Sequence, residues 1–114
     1  MGLDSIWKCS KRVWFWRKPR LAAGLFSGHG QGSFRGGRYT DTVSALTPYS
    51  LFTEELSNAQ VREIADALAA HSHEAAMTKV REKGGVELEV EEYADLARVF
   101  LKYADAEASL IGSW

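Results

Sequence analysis

The residues with the most chemistry per unit length lie in Ser27-Gly28-His29-Gly30-Gln31-Gly32-Ser33-Phe34-Arg35-Gly36-Gly37-Arg38, where five of twelve positions are glycine. Clustered glycines let consecutive main-chain amides converge on an anion, and a neighbouring guanidinium adds paired hydrogen bonds to phosphate oxygens. Ser27, His29, Ser33, Arg35 and Arg38 are therefore the expected side-chain contacts to an anionic small molecule, with Gly28, Gly30 and Gly32 supplying backbone. The segment matches neither G-x-x-x-x-G-K-[ST] nor G-x-G-x-x-G, because after Gly28 and Gly30 the position that needs a third glycine holds Ser33. Nucleoside triphosphate hydrolysis is not expected of it. The competing reading is steric: the glycines permit a tight loop over a sheet, with Phe34 plugging the core.

Lys11-Arg12-Val13-Trp14-Phe15-Trp16-Arg17-Lys18 interleaves cations with aromatics, as a surface that stacks bases and neutralises phosphates does. Trp14 and Trp16, two residues apart, share one face of a strand and are assigned as stacking contacts to the ligand. Nucleic acid ranks below a small ligand as partner, since strand alternation and the large apolar area of Trp already explain half of the aromatics. His71 and His73 point about 200° apart on a helix and cannot share a metal ion, so they read as solvated or helix-break histidines. Cys9 reads as a small buried thiol, and Glu87, Glu89, Glu91 and Glu92 as a solvated acidic face rather than an acid and base pair. With no Ser-His-Asp or Cys-His signature, a non-catalytic protein without cofactor or metal is expected. An enzyme assembled only in space, a small hydrolase of the same ligand, is the alternative.

The composition bounds the class. The chain has 114 residues, 46% hydrophobic and 25% charged, enough for one domain over residues 1–114 and one modest core. Its net charge of −1 hides an asymmetry: residues 1–38 carry eight Lys and Arg against Asp4 alone, and residues 39–114 carry six against fourteen acids. The two halves either attract each other within the fold, or the basic half faces an anionic ligand. No stretch is apolar enough for a membrane span, basic residues interrupt any signal-peptide core, and the myristoylation pattern fails at Ile6. A cytoplasmic protein with no membrane partner is expected, which the single cysteine suits.

Strands are predicted for Leu3 to Trp7 and Arg12 to Trp16, as a hairpin, with Pro19 limiting the second. A short helix is predicted over Tyr39 to Leu46, ahead of Pro48. Ser57 and Gln60 form a capping box opening a long helix that runs to about Lys83 and stops at Gly84-Gly85. A second amphipathic helix places Tyr93, Leu96, Ala97, Phe100 and Ala104 on one stripe, with Glu92, Asp95, Arg98 and Lys102 off it. The tail from Ser109 to Trp114 is a last strand, pairing beside the first. The expected fold is α+β: a small, mainly antiparallel sheet from the N- and C-terminal strands, packed against two amphipathic helices.

Met1-Gly2-Leu3-Asp4-Ser5, Ser33-Phe34-Arg35-Gly36-Gly37-Arg38-Tyr39, Tyr103-Ala104-Asp105-Ala106 and the final Gly112-x-Trp114 resemble a loose group of small phage-associated and bacterial proteins of unknown function. The resemblance implies context only, a phage-type counter-defence protein that sequesters or inhibits a nucleotide signal or a host protein. The function expected is a binding module holding a nucleotide or cyclic nucleotide at the Gly/Arg-rich loop, in a groove that a homodimer would enlarge. The alternatives are a protein-protein inhibitor or interaction module, and a nucleic-acid-binding protein.

Overall fold

Strand β1, Asp4–Lys8, alternates strictly: Ser5 and Trp7 are buried while Asp4, Ile6 and Lys8 face solvent. That period-two pattern marks a sheet with one covered face. The computed structural model describes residues 2–11, 13–15, 17, 19–22, 25–26 and 32–114. Within them, β2 (Leu25–Phe26), β3 (Gly32–Arg35), β4 (Glu55–Leu56) and β5 (Ser109–Ser113) join β1 in an antiparallel sheet of order β2-β3-β1-β5-β4. Asp4 faces Ser113 and Lys8 faces Ser109, so the first and last strands lie side by side as the sequence predicts.

Among the described residues there are also four α-helices: α1 (Thr40–Leu46), α2 (Asn58–Ala70), α3 (His73–Glu82) and α4 (Val90–Asp105). The fold is α+β. Its core sits where the covered sheet face meets α4 and α2. Trp7 stacks on Tyr103 of α4 with centroids 4.4 Å apart and planes 2° from parallel, and takes the edge of Phe100 at 5.0 Å. Ile64, Leu68, Leu96 and Val99 are buried beside them. Such aromatic pairs add about 0.5–1.5 kcal/mol beyond their area burial.

Three expectations need correction. Val13 to Phe15 form no strand, because both edges of β1 are taken by β3 and β5 and leave none for a hairpin partner. Instead Val13 is buried, Phe15 packs against the core and Trp14 is 70% exposed. The glycine-rich segment is not all loop: Gly32 to Arg35 make β3 with Phe34 directed into the core, and Gly36 to Arg38 form one turn of 3-10 helix. The single long helix is broken, since His71 and Ser72 adopt extended backbone and the Ser72 hydroxyl accepts from the Ala75 amide to start α3. The Ser57–Gln60 capping box opens α2 as predicted, and Gly84, at φ 69°, ends the turn after α3.

Gly36 is a close-approach position. A methyl group there would lie 2.8 Å from Leu3 Cδ2 and overlap the buried Ser5 hydroxyl, whereas at Gly37 the nearest atom is 4.0 Å away. Gly36→Ala is expected to cost about 1–3 kcal/mol by overpacking. Gly37→Ala should stay within about 0.5 kcal/mol of the parent. Urea unfolding of the two variants compares them directly, and equal losses would remove the steric role given to Gly36.

Candidate functional site

Asp95 is the unusual residue of α4. It is an acid only 5% exposed, on the same side of the helix as Val99 one turn later. A carboxylate is buried at high cost unless it is paired and hydrogen-bonded, and here it is both. Its Oδ2 accepts from the Arg20 backbone amide at 2.9 Å, and its Oδ1 accepts from Arg98 at 2.7 Å. Arg17 reaches the same Oδ1 at 3.7 Å, beyond hydrogen-bond length, with its side chain 75% exposed.

Asp95 is one of three pins on the segment around Pro19 to Ala22. The Ala22 amide donates to the Tyr39 hydroxyl at 2.8 Å, and the Ala22 carbonyl accepts from the Arg35 amide at 2.8 Å. Burial pushes the Tyr39 phenol above its ordinary pKa, which keeps it protonated. A fixed strap therefore lies across α4, and between strap and helix runs a groove. One part, of about 620 Å³, is lined by Arg17, Pro19, Arg20, Glu91 and Asp95. An adjoining part of about 430 Å³ shares Arg20, Glu91 and Asp95 and extends to Glu89, Val90 and Glu92. These volumes suit a small ligand.

The groove is bordered by charges with unequal commitments. Glu92 holds Arg38 bidentately, through Nε at 3.1 Å and Nη2 at 2.8 Å, and also accepts from the Glu89 amide at 3.0 Å. The Arg38 guanidinium draws the Glu92 carboxyl below its usual pKa of 4.5. The same contact raises Arg38 further. Among the described residues neither the Arg20 guanidinium nor the Glu91 carboxylate has an ion-pair partner, although both line the same groove.

The residues assigned from sequence fall as follows. Arg38 is tied to Glu92, and Arg35 is ion-paired with Asp4 at 3.6 Å on the open face of the sheet. Gly32 and Ser33 are in β3, with Gly32 buried and Ser33 half-buried. Trp14 is exposed three residues from Arg17. Ser27, Gly28, His29, Gly30 and Trp16 lie outside the described residues. His71 caps the end of α2, donating from Nδ1 to the Ala67 carbonyl at 2.7 Å if Nε2 accepts from Lys79, while His73 contacts the Leu88 carbonyl. Among the described residues no cluster of three His, Cys, Asp or Glu side chains could hold a metal ion. None of the described helices is long and apolar enough to cross a membrane.

Sequence reasoning missed Arg17, Arg20, Glu91 and Asp95 as a group. The available signal was Asp95 itself, four residues before the apolar Val99 and three before Arg98, a spacing that puts acid, cation and core on adjoining helix positions.

Glu92 has its pKa lowered by folding, so its contribution to stability is complete above the unfolded value and is lost as pH falls through the folded one. Glu92→Gln is therefore expected to destabilise the protein at pH 7, with the deficit shrinking below about pH 4.5 as the parent protonates. Urea unfolding at pH 7 and pH 3.5 measures this. A deficit independent of pH would show that the Arg38 contact contributes nothing through the charge of Glu92.

Comparison of the chain with known protein families, with curated proteins and with solved structures returned no match to any of the three.

Proposed function

We propose that the protein is a non-catalytic binding module for a small phosphate-bearing ligand of the nucleotide class, held in the groove between the strap and α4. The observation that carries this reading is Arg20: its backbone is pinned by buried Asp95, the residue lines the groove, and its guanidinium has no carboxylate partner among the described residues. Guanidinium groups bind phosphate oxygens in paired hydrogen bonds, and Arg17, largely exposed on the same wall, supplies a second fork. Trp14 is within about 11 Å of Arg17 along the chain even when fully extended, a reach that suits stacking of a base while the arginines hold the phosphate. Arg35 and Arg38 take part only by exchanging Asp4 and Glu92 for the ligand.

The second reading, a protein interaction module, draws on the exposed pair Phe52 and Trp114, whose rings meet edge to face at 5.8 Å. Exposed aromatics of this kind anchor protein interfaces.

A thermal-shift screen with nucleoside phosphates separates the two, because a ligand of the native state stabilises it by about 2.7 kcal/mol at one hundred times its Kd. A rise in Tm is expected for the parent protein. Arg17→Ala with Arg20→Ala should abolish the rise at the same ligand concentration while leaving the unliganded Tm nearly unchanged, since Asp95 uses the Arg20 backbone rather than its side chain. Absence of any shift with the parent, or a shift that survives in the double variant, refutes the assignment of this groove.

A further inference from the structure

The two walls of the groove carry opposite charge, and this restricts what the groove accepts. We infer that it selects a ligand with one phosphate end and a vicinal diol, a ribonucleoside monophosphate rather than a polyphosphate or a deoxyribonucleotide, with Glu91 receiving the hydroxyls. The inference rests on the binding reading above and deepens it.

Arg20 and Glu91 line both parts of the groove, and each lacks an ion-pair partner among the described residues. No Arg20 side-chain nitrogen lies within 4.0 Å of a Glu91 carboxylate oxygen, so no ion pair joins the two across the groove. Both backbones are fixed, one by the Asp95 pin and the other by the first turn of α4. The neighbouring charges are already neutralised internally: Asp95 by Arg98, and Glu92 by Arg38. The groove is thus bordered by Arg17 and Arg20 on the strap and by Glu91 on α4, while Glu89 at the far edge is committed to the capping box of the helix.

A ligand that is anionic along its whole length satisfies the first wall and is repelled by the second. Like charges brought close in a partly desolvated groove disfavour one another, which is how a site rejects as well as selects. Inorganic polyphosphate and a nucleic-acid backbone are in this class. A carboxylate accepts two hydrogen bonds in a plane, the pattern that the paired hydroxyls of ribose donate, and acidic side chains read the ribose hydroxyl in dinucleotide sites by this contact. A monophosphate with a ribose diol meets each wall with the opposite polarity.

Calorimetric titration of the parent protein with AMP, 2′-deoxy-AMP, inorganic phosphate and inorganic triphosphate tests the inference. AMP is expected to bind about tenfold or more tightly than 2′-deoxy-AMP, the worth of one hydrogen bond to a charged acceptor. Glu91→Ala, an exposed substitution, should bring AMP and 2′-deoxy-AMP to the same affinity and admit triphosphate. Equal affinity for the two nucleotides in the parent, or a preference that persists in Glu91→Ala, overturns the role of Glu91 while leaving the arginine wall in place. Triphosphate binding more tightly than AMP to the parent overturns the selection by charge. If neither nucleotide nor phosphate binds, the binding reading itself fails and the selectivity falls with it.

Discussion

A carboxylate buried in a small protein is costly, and the arrangement around Asp95 shows what that cost requires. Removed from water, an unpaired carboxylate is unfavourable by several kcal/mol, so its burial demands a cation and hydrogen-bond donors at defined places. Arg98 provides the cation from the same helix, and the Arg20 amide provides a donor from seventy-five residues away in sequence. That second bond fixes the strap over α4. Without it the Pro19 to Ala22 segment would keep its Tyr39 and Arg35 hydrogen bonds and the burial of Leu21 in the core, all at its far end, and the Arg20 backbone would lose its tie to α4. The site therefore depends on a hydrogen bond in which the Arg20 side chain takes no part, which leaves that guanidinium available.

The charge asymmetry of the chain is used in part within the fold. Lys11 with Glu107, Arg38 with Glu92 and Arg17 with Asp95 are pairs between the basic first third and the acidic remainder. The exposed pair of Lys11 and Glu107 contributes little to stability, since solvent screens it and two long side chains must be ordered. The stabilising weight lies in the aromatic core around Trp7. Arg20 is not among these pairs, and it is on that residue that the proposed binding of an anion rests.

Much of the frame was legible in the sequence because its signals are local. The β-branched and aromatic run of Leu3 to Trp7, the Ser57–Gln60 box and the stripe of α4 each specify their own element, although the buried Ser5 and exposed Ile6 reverse the polarity that the strand's faces would suggest. The pairing of the terminal strands was legible because both are short aromatic or β-branched runs needing the same cover. The failures concern competition between distant segments. Nothing local shows that β3 takes the edge of β1 that Val13 to Phe15 would need, or that Ser5 lies beneath Gly36. Helical periodicity sets Asp95 off the apolar stripe because it describes one helix alone, and the strap that covers it comes from elsewhere. The break at His71 and Ser72 had a local signal, a serine two residues ahead of Glu74 able to cap a new helix, outweighed by the continuous run of helix-forming residues on either side.

The division of labour along α4 keeps the groove apart from the core. Leu96, Phe100 and Tyr103 bury one face of the helix against the sheet and α2, while Glu91 and Asp95 present another to the strap. A sixteen-residue helix anchored by Trp7 stacking on Tyr103 is a stiff platform, and side chains on helices are held more precisely than those on loops. The groove residues at its N-terminal end lie far along the helix from that stack, so substitutions at Glu91 or in the Arg17 and Arg20 side chains leave the core contacts intact. The side chains of Arg17, Arg20 and Glu91 can thus be changed without touching the core, whereas Asp95 and Glu92 hold contacts that the fold itself uses.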